Sequence, residues 1–310
     1  MFQVIIRSIV PIVILLGLGL FSRHKKIMKP GDEKVFGAYL YYFALPALLF
    51  INITETEFTG QTLKFIFSGM LPALIVLAVY ITVFFTAKLK KDNLYLLMLT
   101  TFFGNFVFFG VPFIMFVFPG GEGERLAILS SAFISVLSVF ISVTALELSK
   151  VSGQGIIGTL KIVSKQLMAN PLVFSIIAGL AFSLVGLRLP RVFSTALHML
   201  GGTTATVAFF MLGAFIYGRK YTGFFSAFKL ALPRIVLLPA IAFFVTRFLG
   251  LGKIESAVII LMNAMPLAIA VSVMSDRYDF HKETVATLIL VSSIGSIIYL
   301  PIWIYILGIQ

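Results

Sequence analysis

Gly104-Asn105-Phe106-Val107-Phe108-Phe109-Gly110-Val111-Pro112 and, in the other half of the chain, Asn263-Ala264-Met265-Pro266 put amides and helix breakers inside otherwise apolar runs. Each run is long enough to cross a bilayer, and each is the fourth of its half. Lipid offers no hydrogen bonds to a freed backbone group, so a broken span persists only where protein or a water-filled cavity covers the break. Two breaks at corresponding positions of two halves point to a carrier whose binding site lies near the membrane midplane.

Working outward, the composition agrees with a membrane chain. Of 310 residues, 60% are hydrophobic and only 12% charged, against about 25% charged in soluble domains. The mean hydropathy is +1.08. No polar stretch is long enough to fold as a soluble domain. Cysteine is absent, which removes disulfides, thiolate metal sites and thiol catalysis. Arg7 precedes an apolar run as in a signal peptide, but Arg23-His24-Lys25-Lys26 follows in place of a small-residue cleavage site, so a retained first helix is expected.

Ten spans are expected at about 4–22, 35–53, 65–87, 94–118, 126–148, 171–187, 192–217, 224–249, 255–275 and 284–307. Pro30-Gly31-Asp32, Thr59-Gly60, Pro119-Gly120-Gly121 and Gly250-Leu251-Gly252 separate some of them, and Asn170-Pro171 supplies an N-cap followed by proline at the first helical position. Loops after odd-numbered spans hold 15 Lys and Arg, against 5 after even-numbered spans (Lys64, Arg125, Arg188, Arg191 and Lys253). The odd loops are therefore read as cytoplasmic and both termini as external. The net charge of +12 is on this count a topology signal with attraction to anionic lipid, not a nucleic-acid footprint. Five helices followed by five more place the second half upside down. Residues 1–150 and 170–310 are thus read as inverted repeats, joined by a cytoplasmic linker at 151–169. Within the linker, Ile156–Met168 reads either as an interfacial helix or as an irregular basic segment.

After each proline a fresh half-helix is expected, its N-terminus near the midplane. Two such N-termini, with free N–H groups and partial positive charge, form an anion site that needs no lysine or arginine. Asn105 and Asn263 are the leading candidates for contact with the substrate, the alternative being a bond to a broken-helix carbonyl. Pro112 and Pro266 are expected to shape the site and Gly110 to permit close backbone approach. Ser131, Ser135, Ser138 and Ser142 share one face of the fifth span. They read first as a packing stripe; if the stripe lines a cavity, Ser135 and Ser138 lie nearest mid-depth. Thr203, Thr204 and Thr206 follow Gly201-Gly202, marking either unwinding or tight packing. His198 reads as a satisfied core group. Arg234, beside Pro233, reads as structural, with snorkelling or an anion-attracting place in the cavity as its two settings. All twelve Asp and Glu fall in loops or span ends, Glu147 deepest. No midplane carboxylate is available to carry a proton, and a sodium site of carbonyls and amides alone would be weak.

Asn105-Phe-Val-Phe-Phe-Gly110-Val-Pro112 resembles the Asn-x4-Gly-x-Pro element of the auxin efflux carrier family. Asn263-Ala-Met-Pro266 through Asp276-Arg277-Tyr278 is similar to that family's ninth-helix element. Phe43-Ala44-Leu45-Pro46, Asn170-Pro171 and Leu212-Gly213-Ala214 follow in the family's order. The resemblance implies an all-α polytopic protein of ten helices in two inverted five-helix repeats. Helices 4 and 9 would be broken and crossing, as in sodium/proton antiporters and bile-acid transporters. It also implies a compact bacterial carrier in the cytoplasmic membrane, a transport domain moving as an elevator against a scaffold, and a homodimer through scaffold helices. The plant members' long cytoplasmic loop is missing. Their ninth-helix element has Gln where Asn263 stands, and Leu48-Leu49-Phe50 replaces the hydroxyl after the second-helix proline, which argues against auxin itself.

The expected function is secondary transport of small organic anions, potential-driven, with sodium- or proton-coupled transport as the alternative and a non-transport membrane protein as the remote one. Intramembrane catalysis is disfavoured. There is no HExxH and no paired intramembrane aspartate, and no serine stands with a buried histidine in rhomboid-like context. No cofactor and no resident metal are expected.

Overall fold

The computed structural model describes residues 2–150, 164–165, 168–187, 189–218 and 221–309. Most of the 151–169 linker, with its expected interfacial segment, lies outside the described residues. Twelve helical elements carry what is described here. They are α1 (Phe2–His24), α2 (Glu33–Thr54), α3 (Gly60–Thr86), α4 (Lys91–Phe102), α5 (Phe106–Val117), α6 (Glu122–Lys150), α7 (Pro171–Val185), α8 (Arg191–Ile216), α9 (Phe224–Phe248), α10 (Lys253–Asn263), α11 (Ala270–Tyr278) and α12 (Lys282–Ile306). Seven of these, α1, α2, α3, α6, α8, α9 and α12, are long and apolar enough to cross a membrane, while α5 and α7 are shorter apolar helices. No strand is present among the described residues. The protein is an all-helical, multi-pass membrane protein.

The local signals act as their chemistry dictates. The Asn170 side chain accepts from the Leu172 N–H at 2.9 Å and caps α7, with Pro171 at its first position. Thr59 and Thr62 form a reciprocal capping box at the start of α3. At the start of α10 only half of such a box exists, the Glu255 carboxylate accepting from the Gly252 N–H at 2.9 Å. Arg7 reaches from α1 to the Val117 carbonyl at 2.7 Å, satisfying an orphan acceptor at the end of α5.

Three prolines are handled by widened turns. π-helical turns at Leu40–Ala44, Phe106–Gly110 and Pro233–Leu237 each end two residues before a proline, namely Pro46, Pro112 and Pro239. An α-helical proline ring strikes the carbonyl four residues earlier, and a π turn moves that carbonyl aside. Ahead of Pro239 the freed carbonyl is that of Ile235, and the Trp303 indole donates to it at 3.0 Å.

The three most extensive helix pairings are α1 with α8, α2 with α7, and α2 with α8. The α1–α8 pairing depends on glycine. A Cβ on Gly19 would stand 2.0 Å from the Phe210 carbonyl oxygen, and one on Gly213 would stand 2.0 Å from that of Leu16. Helix backbones meet there without side chains between them. α6 packs against α3, α4, α5 and α10, so one unbroken helix buttresses both interrupted spans.

Candidate functional site: the crossing of two broken helices

The first break falls earlier than the sequence predicts. α4 ends at Phe102, and helix resumes at Phe106, six residues before Pro112. Pro112 instead sits in the first α-helical turn after the π turn, where the widened backbone has already relieved its clash. At the second break α10 ends at Asn263 and α11 begins at Ala270, four residues after Pro266. Between these ends the two extended segments cross and pair as antiparallel strands do, with Gly104 bridged to Leu267. Asn105 N–H donates to the Pro266 carbonyl at 2.7 Å, and Ala268 N–H donates to that of Phe103 at 3.0 Å. Leu267 N–H is taken by Ser292 Oγ of α12 at 3.1 Å. The interrupted backbones thus satisfy much of each other's hydrogen bonding inside the protein, which a membrane interior demands.

Arg234 is drawn into this crossing. It is 1% exposed and, among the described residues, the one charged side chain that is buried. Its Nε donates to the Met265 carbonyl at 2.7 Å and its Nη1 to that of Thr101 at 3.0 Å, the carbonyls closing the two first half-helices. The guanidinium carbon lies 4.6 Å from the Phe106 ring centroid. Nη2 has no partner. A Cβ on Gly104 would stand only 1.7 Å from Nη2, so the guanidinium occupies space that only glycine leaves open. Of the settings read from the sequence, snorkelling is excluded. The side chain is structural in its bonds and central in its position.

The two asparagines differ. Asn263 is 1% exposed, and its Nδ2 donates to Ile259 O at 3.0 Å and Gly69 O at 3.4 Å, so it ties the end of α10 to α3. Asn105 is 2% exposed, its backbone is fully used by the crossing and by the first turn of α5, and its Oδ1 has no partner. Gly110 brings the segments together. A Cβ there would stand 2.9 Å from the Met262 sulfur and 3.0 Å from Met265 Cγ. Pro112 and Pro266 are buried. Ser138 is buried with an unpartnered Oγ, whereas Ser135 is only half-buried. Gly69, Ser292 and Thr101 belong to the site's frame and carry no signal in the sequence that separates them from other small polar or glycine residues.

One other expectation is corrected, and one left open is resolved. His198 is not a core group; it is exposed and pairs with Glu55 at 3.1 Å, because α8 turns that face outward near its start. The Thr203 region is unwound by a single residue, with the Thr203 hydroxyl bonded to Tyr39 Oη at 2.8 Å and to the Leu200 carbonyl at 2.7 Å. It braces α2 against α8.

A cavity of about 650 Å³ opens at the end of the molecule where α10 and α6 begin. Its charged lining is Glu55, Glu57, Glu122, Arg125, Lys253 and Glu255, and Phe65, Leu126 and Leu129 also line it. From Glu255 to Asn263 is eight residues of helix, about 12 Å along the axis. Along α3 the lining reaches Phe65, one helical turn from Gly69, whose carbonyl Asn263 bonds; neither Asn105 nor Asn263 lines the vestibule.

The family model described as "Membrane transport protein" matches residues 4–158 and 155–304. An uncharacterized transporter of Methanocaldococcus jannaschii is 25% identical over 304 residues, covering 96% of both chains. The uncharacterized transporter YfdV of Escherichia coli K12 is 22% identical over 327 residues, covering 97% of both.

Proposed function

Because the chain belongs to the membrane transport protein family, the auxin efflux carrier family that its motifs resemble, we propose that it is a secondary carrier of small organic anions. The observation that carries this reading is the crossing itself. Two helices are interrupted at one place, the helix starts at Phe106 and Ala270 bring donor-rich ends toward it, and a buried cation lies against it. Such a place favours a carboxylate over a neutral or cationic solute.

The ten spans, with residues 1–150 and 170–310 as inverted repeats about the 151–169 linker, remain our reading of the architecture. Exchanging the two halves turns the α1–α8 pairing into the α7–α2 pairing, which supports it. In the elevator we propose, these four helices are the scaffold and the crossing moves with the helices packed around it. Asn105, Gly110, Pro112, Asn263 and Pro266 are its substrate-site residues, and Ser138 and Ser135 lie on the neighbouring face of α6.

Potential-driven uniport is favoured over sodium coupling. The carbonyls of Thr101 and Met265, the ligands a cation would need at the half-helix ends, already hold the Arg234 guanidinium. No Asp or Glu is buried among the described residues to serve a proton. The charge asymmetry of the loops supports an orientation with the vestibule on the outer side. Its four carboxylates against two basic residues slow anion entry from that side and hasten release, which favours efflux.

The test is reconstitution. Purified protein in liposomes is screened by thermal shift against carboxylic acids, and the best hit is followed by flux. Saturable transport of a carboxylate is expected. Binding and flux confined to neutral or cationic solutes would overturn the reading.

A further inference from the structure

We propose that Arg7 is a latch across the boundary between scaffold and moving body, holding the carrier at one end of its stroke. The inference rests on the elevator reading and adds to it the residue that sets the resting state.

Arg7 stands in the second turn of α1, a scaffold helix, and its Nη2 donates to the Val117 carbonyl of α5 at 2.7 Å. α5 leads away from the crossing and belongs to the body that moves. Val117 closes α5, where carbonyls lack partners within the helix and the macrodipole is negative. A guanidinium is favoured there by the bond and by the field. Val117 is fully buried, so water does not serve its carbonyl in this state, whereas the Arg7 side chain reaches it from an exposed position. When the helices part, solvent can serve both groups. The bond thus stabilises the state seen here over any state in which α5 has moved along α1.

A second contact crosses the same boundary. The Phe109 ring of α5 meets Phe209 of α8 edge to face, with 4.9 Å between centroids. Apolar rings can slide past one another, but a hydrogen bond is lost within about an ångström of displacement. Arg7 is therefore the contact that resists the stroke. Exchanging the two halves turns α1 and α5 into α7 and α11. α7 contains no Lys or Arg. At the end of α11 the Tyr278 hydroxyl donates to Glu147 of α6, a neighbour within the moving body. The cation that α1 offers to one half-helix has no counterpart on α7 for the other, so the latch acts at one end of the stroke and the empty carrier rests there.

The test measures distances in the full chain, reconstituted in liposomes without substrate. The chain has no cysteine, so spin labels on Glu122→Cys and Thr195→Cys are unique. Both positions are exposed, the first on α6 of the moving body and the second on α8 of the scaffold. Double electron–electron resonance is expected to give one dominant distance in the otherwise native chain. In Arg7→Ala a second distance is expected to grow, its ratio to the first rising about tenfold, the worth of one hydrogen bond to a charged group. Arg7→Lys keeps a donor and should return most of the population to the first distance. A control pair on Glu122→Cys and Lys253→Cys, both in the moving body, should keep its distance in every variant, which separates a shift of state from local damage. Two distances whose ratio is the same with and without Arg7 overturn the latch and leave the elevator standing. A single unchanged distance in all three proteins overturns the latch and the sliding of α6 against α8 with it. A change confined to the control pair overturns the latch by assigning Arg7 to packing alone.

Discussion

Asn105 and Asn263 are the same residue at two breaks, yet the structure gives them different work. The Asn263 amide nitrogen donates to the Ile259 and Gly69 carbonyls, so Asn263→Ala should cost stability, about 1–2 kcal/mol, seen as a lower melting temperature in detergent. Asn105→Ala removes no bond that the structure records for the side chain. It should leave expression and melting nearly unchanged and abolish most flux in liposomes; normal flux would remove Asn105 from the site. Both asparagines were legible in the sequence because an amide inside an apolar run is conspicuous. Which of the two is free was not. That depends on Gly69, 194 residues from Asn263 in sequence. Arg234 was legible only as an anomaly. Its partners lie 31 and 133 residues away, and no local pattern announces such a bond.

At the scale of elements, the breaks themselves were readable and their edges were not. Gly104, Asn105, Pro112 and Pro266 mark the interruptions, but helix resumes ahead of Pro112 because a π turn makes room for its ring. A sequence shows where a proline stands, not whether the turn before it has widened. The helix pairings hinge on glycines that the sequence does not distinguish from others. Gly213→Ala would press a methyl group into the Leu16 carbonyl, and the α1–α8 contact must open. A loss of about 1–3 kcal/mol is expected, measured as a fall in melting temperature. Gly202→Ala, where an added methyl would meet nothing within 4 Å beyond its own helix, should change it little. Equal effects would mean that the backbone contact contributes nothing.

For the whole molecule, the loop charges predict which face meets the cytoplasm. Single cysteines at Gly120 and at the N-terminus should react with an impermeant maleimide on intact cells, whereas cysteines at Lys90 and Lys282 should react only after permeabilisation. The reverse pattern would invert the membrane orientation and place the acidic vestibule inside. The buried guanidinium has an electrical consequence as well. If the crossing shuttles as one body, Arg234 carries its positive charge along. A monovalent anion then cancels that charge on the loaded stroke, and the empty stroke is the one that feels the field. Each cycle still moves one negative charge, so 100 mV is worth about 2.3 kcal/mol, roughly a fifty-fold ratio at equilibrium. Anion-for-anion exchange skips the empty stroke. In liposomes clamped with potassium and valinomycin, net exit should quicken as the interior is made negative, while exchange of labelled for unlabelled substrate should hold its rate. Exchange that follows the voltage would mean the arginine stays behind while the anion moves.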